Sequence, residues 1–91
     1  MATTTATSAT ARPTKPGVIV AALMSRVVGP GLKPRSAEFR WGLASGLDFF
    51  VFGHAVPQPF VEGSVHADAF AAGVQAAHMA WHNHMDEVIT S

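Results

Sequence analysis

Residues 39–77 read FRWGLASGLDFFVFGHAVPQPFVEGSVHADAFAAGVQAA, and this stretch decides the fold. It joins two apolar segments that contain glycines through a connection rich in proline. Apolar residues recur every three or four positions in both segments, which is the repeat of a helix with one buried face. The stretch therefore predicts an all-α protein in which two helices pack together as a helical hairpin.

Capping residues mark the ends of these two helices. Ser36 and Ser64 each precede a periodic segment, and a serine hydroxyl there can accept a hydrogen bond from a free N–H of the first turn. Gly53 tolerates the backbone conformation that ends a helix, and the prolines after it favour an extended chain. We expect helices over about residues 37–52 and 65–89, with Phe60 folded back over the pair.

Three glycines predict where the two helices touch. A glycine inside a helix costs about 1 kcal/mol relative to alanine. Gly42, Gly46 and Gly73 therefore indicate a close approach of two backbones that compensates for this cost. Larger side chains are expected to fill the core, among them Phe39, Phe50 and Trp81.

A third, shorter helix is predicted ahead of the hairpin. Ile19, Leu23 and Val27 recur every four positions, and Gly29-Pro30-Gly31 stops the segment, so a helix over about residues 18–28 is favoured, although its β-branched content leaves a strand open. Residues 1–17 are rich in threonine, alanine and serine, and we expect a disordered tail there. Residues 18–91 then form a single small helical domain.

Composition limits the chemistry that the chain can perform. Its 91 residues suffice for one small domain but leave little chain for a deep enzymatic cleft. Cysteine is absent, which excludes disulfides, thiolate nucleophiles and cysteine-based zinc sites. No phosphate-binding glycine loop or nucleophile elbow is present. We expect a non-enzymatic cytoplasmic protein without a cofactor or a membrane span, since a span takes about 20 apolar residues.

The charges are divided along the chain although they balance to zero overall. Residues 1–40 carry a net charge of +5, whereas residues 41–91 carry −5 and contain no lysine or arginine. This division can steer a charged partner. The simpler interpretation is two solvated faces that partly neutralise each other, and the sequence leaves both interpretations open.

Histidines near the C-terminus are the nearest approach to a metal site. His78 and His82 stand one helical turn apart, but Asp86 lies about 12 Å from His78 along a straight helix and cannot share its ion. Any site would be bidentate from one helix and weak unless another chain completed it. Ordinary histidines on a polar face are the simpler interpretation, so we expect no metal.

Part of the stretch resembles the ribosome modulation factors and related small proteins often found in phages and mobile elements. The similarity covers about 40 residues and rests on matching motifs: Gly42 and Gly46, Pro59-Phe60 in place of Pro-Tyr, and Phe70 with Gly73-Val74 in place of a tryptophan followed by Gly-Trp. It implies a two-helix body that docks on a larger assembly, in that family the ribosome. That family is strongly basic and rich in tryptophan, whereas residues 41–77 here are acidic, so the fold is expected to carry over without the RNA ligand.

Two functions remain in contention. The first is a phage or mobile-element protein that docks on and inhibits a larger bacterial complex, such as a defence complex, in the manner of an anti-CRISPR protein. Its predicted contacts are aromatic: Phe49, Phe52, Phe60 and Trp81. Residues 18–28 could instead pack over the apolar helix face that includes Phe49 and Phe52, which would leave it buried inside the domain. The alternative function is binding to rRNA or the ribosome through basic residues in segment 12–40, chiefly Arg26, Lys33, Arg35 and Arg40. A homodimer is also expected, because so small a core is seldom sufficient alone.

Overall fold

The structure, a computed structural model, describes residues 16–90. Within that range the chain forms three helices and is all-α, as predicted: α1 (Pro16–Val28), α2 (Ala37–Phe52) and α3 (Val65–Thr90). α1 begins two residues earlier than expected, because proline is well tolerated in a first helical turn, where its missing N–H would have no partner. The rest of the predicted disordered tail, residues 1–15, lies outside the described residues.

The predicted caps determine the helix boundaries. The Ser36 hydroxyl accepts a hydrogen bond from the Phe39 N–H at 3.1 Å, and the Ser64 hydroxyl accepts one from the Ala67 N–H at 3.1 Å. Gly53 has a φ of 79°, in the left-handed region that favours glycine, and its N–H donates to carbonyl oxygens of the last turn of α2. These local interactions explain why α2 has the predicted bounds.

α2 and α3 pack against each other along their lengths, as predicted, and they run in the same direction. Glu38, in the first turn of α2, contacts His66 in the first turn of α3 at 3.0 Å. Further along both helices, the Phe50 ring stacks on the Trp81 ring with centroids 6.0 Å apart. Since contacts follow the same order along both helices, the arrangement is parallel. The sequence had left this direction open.

A parallel pair requires residues 53–64 to return along the length of α2. That helix has 16 residues and is about 24 Å long. The connection is long enough, because an extended chain of this size reaches about 40 Å. Phe60 anchors its return by packing edge-on against Trp41 and Phe70, with ring centroids 5.5 and 6.0 Å away. This confirms the prediction that Phe60 folds back over the pair.

The predicted glycines lie where the two backbones meet. The carbonyl oxygen of Phe70 occupies the space that a Cβ at Gly42 would need, and the carbonyl oxygen of Phe39 occupies that space at Gly73. A Cβ at Gly46 would lie 2.6 Å from the Cβ of Ala77. The close backbone approach is therefore confirmed at all three glycines.

α1 completes the core from one side of the pair. Leu23 is buried together with residues of both other helices: Phe39, Leu43, Leu47 and Ala77. Phe39 is buried as expected, whereas Phe50 and Trp81 are only partly buried. Across residues 16–90, no helix combines the length and apolar character needed to cross a bilayer.

Candidate docking surface

Three aromatic side chains form an exposed stripe along α2. Trp41, Phe49 and Phe52 are 47%, 49% and 45% exposed. With 3.6 residues per helical turn, their positions fall within an arc of about 80°. We call these three residues the aromatic stripe. Large apolar side chains exposed on one helix face of a small domain often mark an interaction site.

An apolar groove lies beside the stripe, where the returning connection passes over the helix pair. It has a volume of about 410 Å³. Its lining comprises Gly46, Phe49, Phe50, Ala55, Val56, Val74, Gln75 and His78. Phe49 belongs to both the groove and the aromatic stripe, so the two form one surface. Because only Gln75 and His78 bring polar side chains to this lining, the groove is suited to apolar contact with few polar interactions.

A second groove extends this surface toward the start of α3. It has a volume of about 290 Å³ and shares Val56, Val74 and Gln75 with the first groove. It reaches Phe60 in the connection and Ala67 in α3. Both grooves border the connection between α2 and α3. The connection is a single extended chain, so it leaves unfilled space on either side where it crosses the two helices.

α1 does not cover the aromatic stripe. It packs on the core through one face, together with Ala76 and Trp81 of α3. The packed residues of α1 are Ile19, Val20, Met24, Val27 and Val28. Phe49 and Phe52 remain about half exposed. The surplus apolar face of α2 is therefore open in the part of the chain that the structure describes.

The four predicted partner contacts differ in how much surface they offer. Phe49 and Phe52 lie in the aromatic stripe. Phe60 is held against Trp41, and Trp81 is partly buried against the core and the Phe50 ring. Trp41 was not among the predicted contacts. Its spacing of eight and eleven residues from Phe49 and Phe52 is the signal that could have revealed it, since these intervals return to the same helix face.

The basic residues of the alternative function do not form a single patch. The Arg26 guanidinium donates to both carboxylate oxygens of Glu87 at 3.1 Å, near the end of α3. Arg35 lies over the Phe39 ring at 4.1 Å, at the end where α2 and α3 begin. α3 has 26 residues and is about 39 Å long, so these two arginines lie near opposite ends of the fold. Lys33 and Arg40 are exposed.

A close pair of histidines borders the groove. The Nε2 atoms of His78 and His82 are 2.8 Å apart. The Phe50 ring stacks on the His78 ring, with centroids 5.5 Å apart. Among the described residues, no group of three or more His, Cys, Asp or Glu side chains is close enough to hold one metal ion.

No protein-family model, curated protein or solved structure matches this chain.

Proposed function

We propose that this protein is a small non-enzymatic binding protein that docks on a larger protein complex through the aromatic stripe and the groove beside it. The observation that carries the proposal is the half-exposed state of Trp41, Phe49 and Phe52 in a domain whose other large aromatic side chains are at least partly packed. Large rigid aromatic side chains supply much of the binding energy at protein interfaces. Trp41, held against Phe60 and Phe70, loses little freedom on binding.

The charge around this surface indicates the chemistry of the partner. From residue 41 onward every Asp, Glu, Lys or Arg is acidic. Asp48 lies on α2 between Trp41 and Phe52, at nearly the same angle around the helix. A complementary partner therefore offers an apolar pocket bordered by lysine or arginine. The resemblance to ribosome modulation factors is the sole support for a bacterial complex as target and for a phage or mobile-element source.

Binding to rRNA is the alternative, and the structure offers it less support. Affinity for RNA depends on several cations that reach phosphates together. Arg26 is paired with Glu87, far from Arg35 at the other end of the fold. The two functions differ in their response to salt. RNA binding weakens steeply as the salt concentration rises, whereas an apolar protein interface changes little.

The decisive experiment compares variants that differ only at exposed positions. Wild-type protein, the double variant Phe49→Ala/Phe52→Ala and the control Val61→Ala/Ile89→Ala are used to purify binding partners from a bacterial lysate. Val61 and Ile89 are 80% and 75% exposed and lie outside the aromatic stripe. We expect one complex that the wild type and the control retain and the double variant loses.

The partner is then purified and its affinity measured directly. We expect the double variant to bind at least about tenfold more weakly than the wild type, as loss of two interface aromatics requires. Thermal denaturation must show that all three proteins are folded. Equal affinity of the double variant and the control would rule out the stripe as the docking surface. Capture of RNA that is released by salt would favour the alternative.

A further inference from the structure

His78 and His82 present two nitrogen atoms to the same point in space. They lie one turn apart on α3, and their Nε2 atoms are 2.8 Å apart. The ring planes are perpendicular, with centroids 4.3 Å apart. Both side chains are exposed, so an ion from solution can reach them. In the neutral pair one Nε2–H donates to the lone pair of the other ring, which is the tautomer arrangement that a 2.8 Å contact needs.

Phe50 holds this pair of rings in place. Its ring stacks on His78 with planes 18° apart, and it meets His82 edge-on, with centroids 6.4 Å apart. Phe50 is itself held by stacking on Trp81. Two donors that are already oriented lose less side-chain entropy on binding an ion than two free surface histidines do. This preorganisation cannot be read from the spacing of the histidines alone.

We propose that His78 and His82 form a bidentate site for a divalent late transition metal, with Cu²⁺ and Ni²⁺ preferred over Zn²⁺. At metal–nitrogen distances of about 2.0–2.1 Å, two nitrogens 2.8 Å apart subtend about 85–90° at the ion. That angle matches tetragonal or octahedral coordination, whereas tetrahedral zinc needs the nitrogens about 3.3 Å apart. The intrinsic order of metal affinities points the same way.

The remaining coordination positions are filled by water. No third His, Cys, Asp or Glu among residues 16–90 comes close enough to contribute. Chelation requires both Nε2 lone pairs, so the ring that carried its proton on Nε2 moves it to Nδ1. The site lies at the rim of the groove but does not depend on docking, so each proposal can fail without the other.

The test is calorimetric titration of the full chain with CuCl₂, NiCl₂ and ZnCl₂. We expect one ion per chain and affinities in the order Cu²⁺, Ni²⁺, Zn²⁺. His82→Ala should weaken Cu²⁺ binding at least about tenfold, because the second donor of a chelate binds as an intramolecular group. His54→Ala is the control, since His54 is exposed and stacks on Phe52 outside the pair. It should retain wild-type affinity.

A spectroscopic measurement separates chelation from loss of folding. The electron paramagnetic resonance spectrum of the Cu²⁺ form should show coupling to two equatorial nitrogens in the wild type and to one in His82→Ala. Far-ultraviolet circular dichroism should be the same for both proteins. Wild-type affinity in His82→Ala, or an equal loss in His54→Ala, would overturn the proposal. So would an absence of Cu²⁺ binding at millimolar concentration.

Discussion

At the scale of single residues, glycine at positions 42 and 73 is required by backbone carbonyls of the facing helix. The oxygen of Phe70 lies too close for a Cβ to fit at Gly42, and the oxygen of Phe39 lies too close for a Cβ to fit at Gly73. A backbone carbonyl in a helix cannot rotate away as a flexible side chain can. An added methyl group therefore has to push the helices apart.

Overpacking costs about 1–3 kcal/mol, and a rigid backbone carbonyl facing the added methyl group puts the cost at the upper end of that range. After the gain of about 1 kcal/mol that alanine brings to a helix interior, we expect Gly42→Ala to lower the free energy of unfolding by about 1–2 kcal/mol. Chemical denaturation measures the change. Gly17→Ala is the matched control, because a Cβ at Gly17 in α1 meets nothing within 4 Å. It should leave stability unchanged or raise it, and a Gly42→Ala variant as stable as wild type would contradict the close approach.

Glu38 makes stability depend on pH. A hydrogen bond from its own backbone N–H, and further interactions with His66, hold the pKa of Glu38 below its ordinary value of 4.5. Because the pKa is lower in the folded state, the stabilisation is complete above pH 4.5 and is lost as the pH falls through the lowered value. Glu38→Gln should therefore flatten the decline of melting temperature in acid.

Thermal denaturation between about pH 3 and pH 6 covers this window. Glu62→Gln, at an exposed position in the connection, is the matched control and should keep the wild-type slope. If the melting temperature of Glu38→Gln falls with decreasing pH as steeply as that of the wild type, the first turn of α2 does not favour the charged carboxylate.

At the scale of elements, the helices could be predicted because their signals are local. Ser36, Ser64 and Gly53 act within one turn of their own positions, and apolar periodicity reveals the buried face. The direction of packing depends on residues far apart in sequence, such as Phe60 and Trp41, so it was not evident. The exposure of Phe49 and Phe52 followed from a surplus of apolar residues. The orientation of the histidine rings required Phe50 to be placed first.

One repeat could have indicated the parallel direction. Phe-x-x-Gly-x-x-x-small occurs over residues 39–46 and again over residues 70–77. In the structure, each phenylalanine carbonyl meets the glycine of the other repeat. This reciprocity is what an approximate two-fold relation between two parallel helices produces. An antiparallel pair would match the start of one repeat with the end of the other.

Spin labels test the parallel direction directly, and the chain has no native cysteine to remove. In Glu38→Cys/His66→Cys the labels should lie within about 20 Å, because the native side chains touch at 3.0 Å. In Glu38→Cys/Glu87→Cys they should be about 30 Å apart or more, since 21 residues of α3 separate positions 66 and 87. Pulsed dipolar spectroscopy measures both distances. The reverse order would establish an antiparallel pair.

At the scale of the whole molecule, the parallel arrangement explains why an apolar surface is left exposed beside the helix pair. An antiparallel pair can be closed by a short turn, which leaves both helix faces free for packing. Here the connection occupies part of one face, and α1 covers another. The aromatic stripe is left beside the grooves that the connection creates. The exposed apolar surface is thus a consequence of the topology.

Without its partner, the exposed stripe should bring two copies of this protein together. A small domain gains stability by covering apolar surface. Light scattering should show a molar mass that rises from monomer toward dimer as the protein concentration increases from about 10 μM to about 1 mM.

Phe49→Ser/Phe52→Ser should remain monomeric over this range with little change in melting temperature, since both side chains are already about half exposed. Val61→Ser/Ile89→Ser should associate as the wild type does. A wild-type protein that stays monomeric throughout would show that the stripe is not sufficient for self-association, and dimers that persist in Phe49→Ser/Phe52→Ser would place the interface elsewhere.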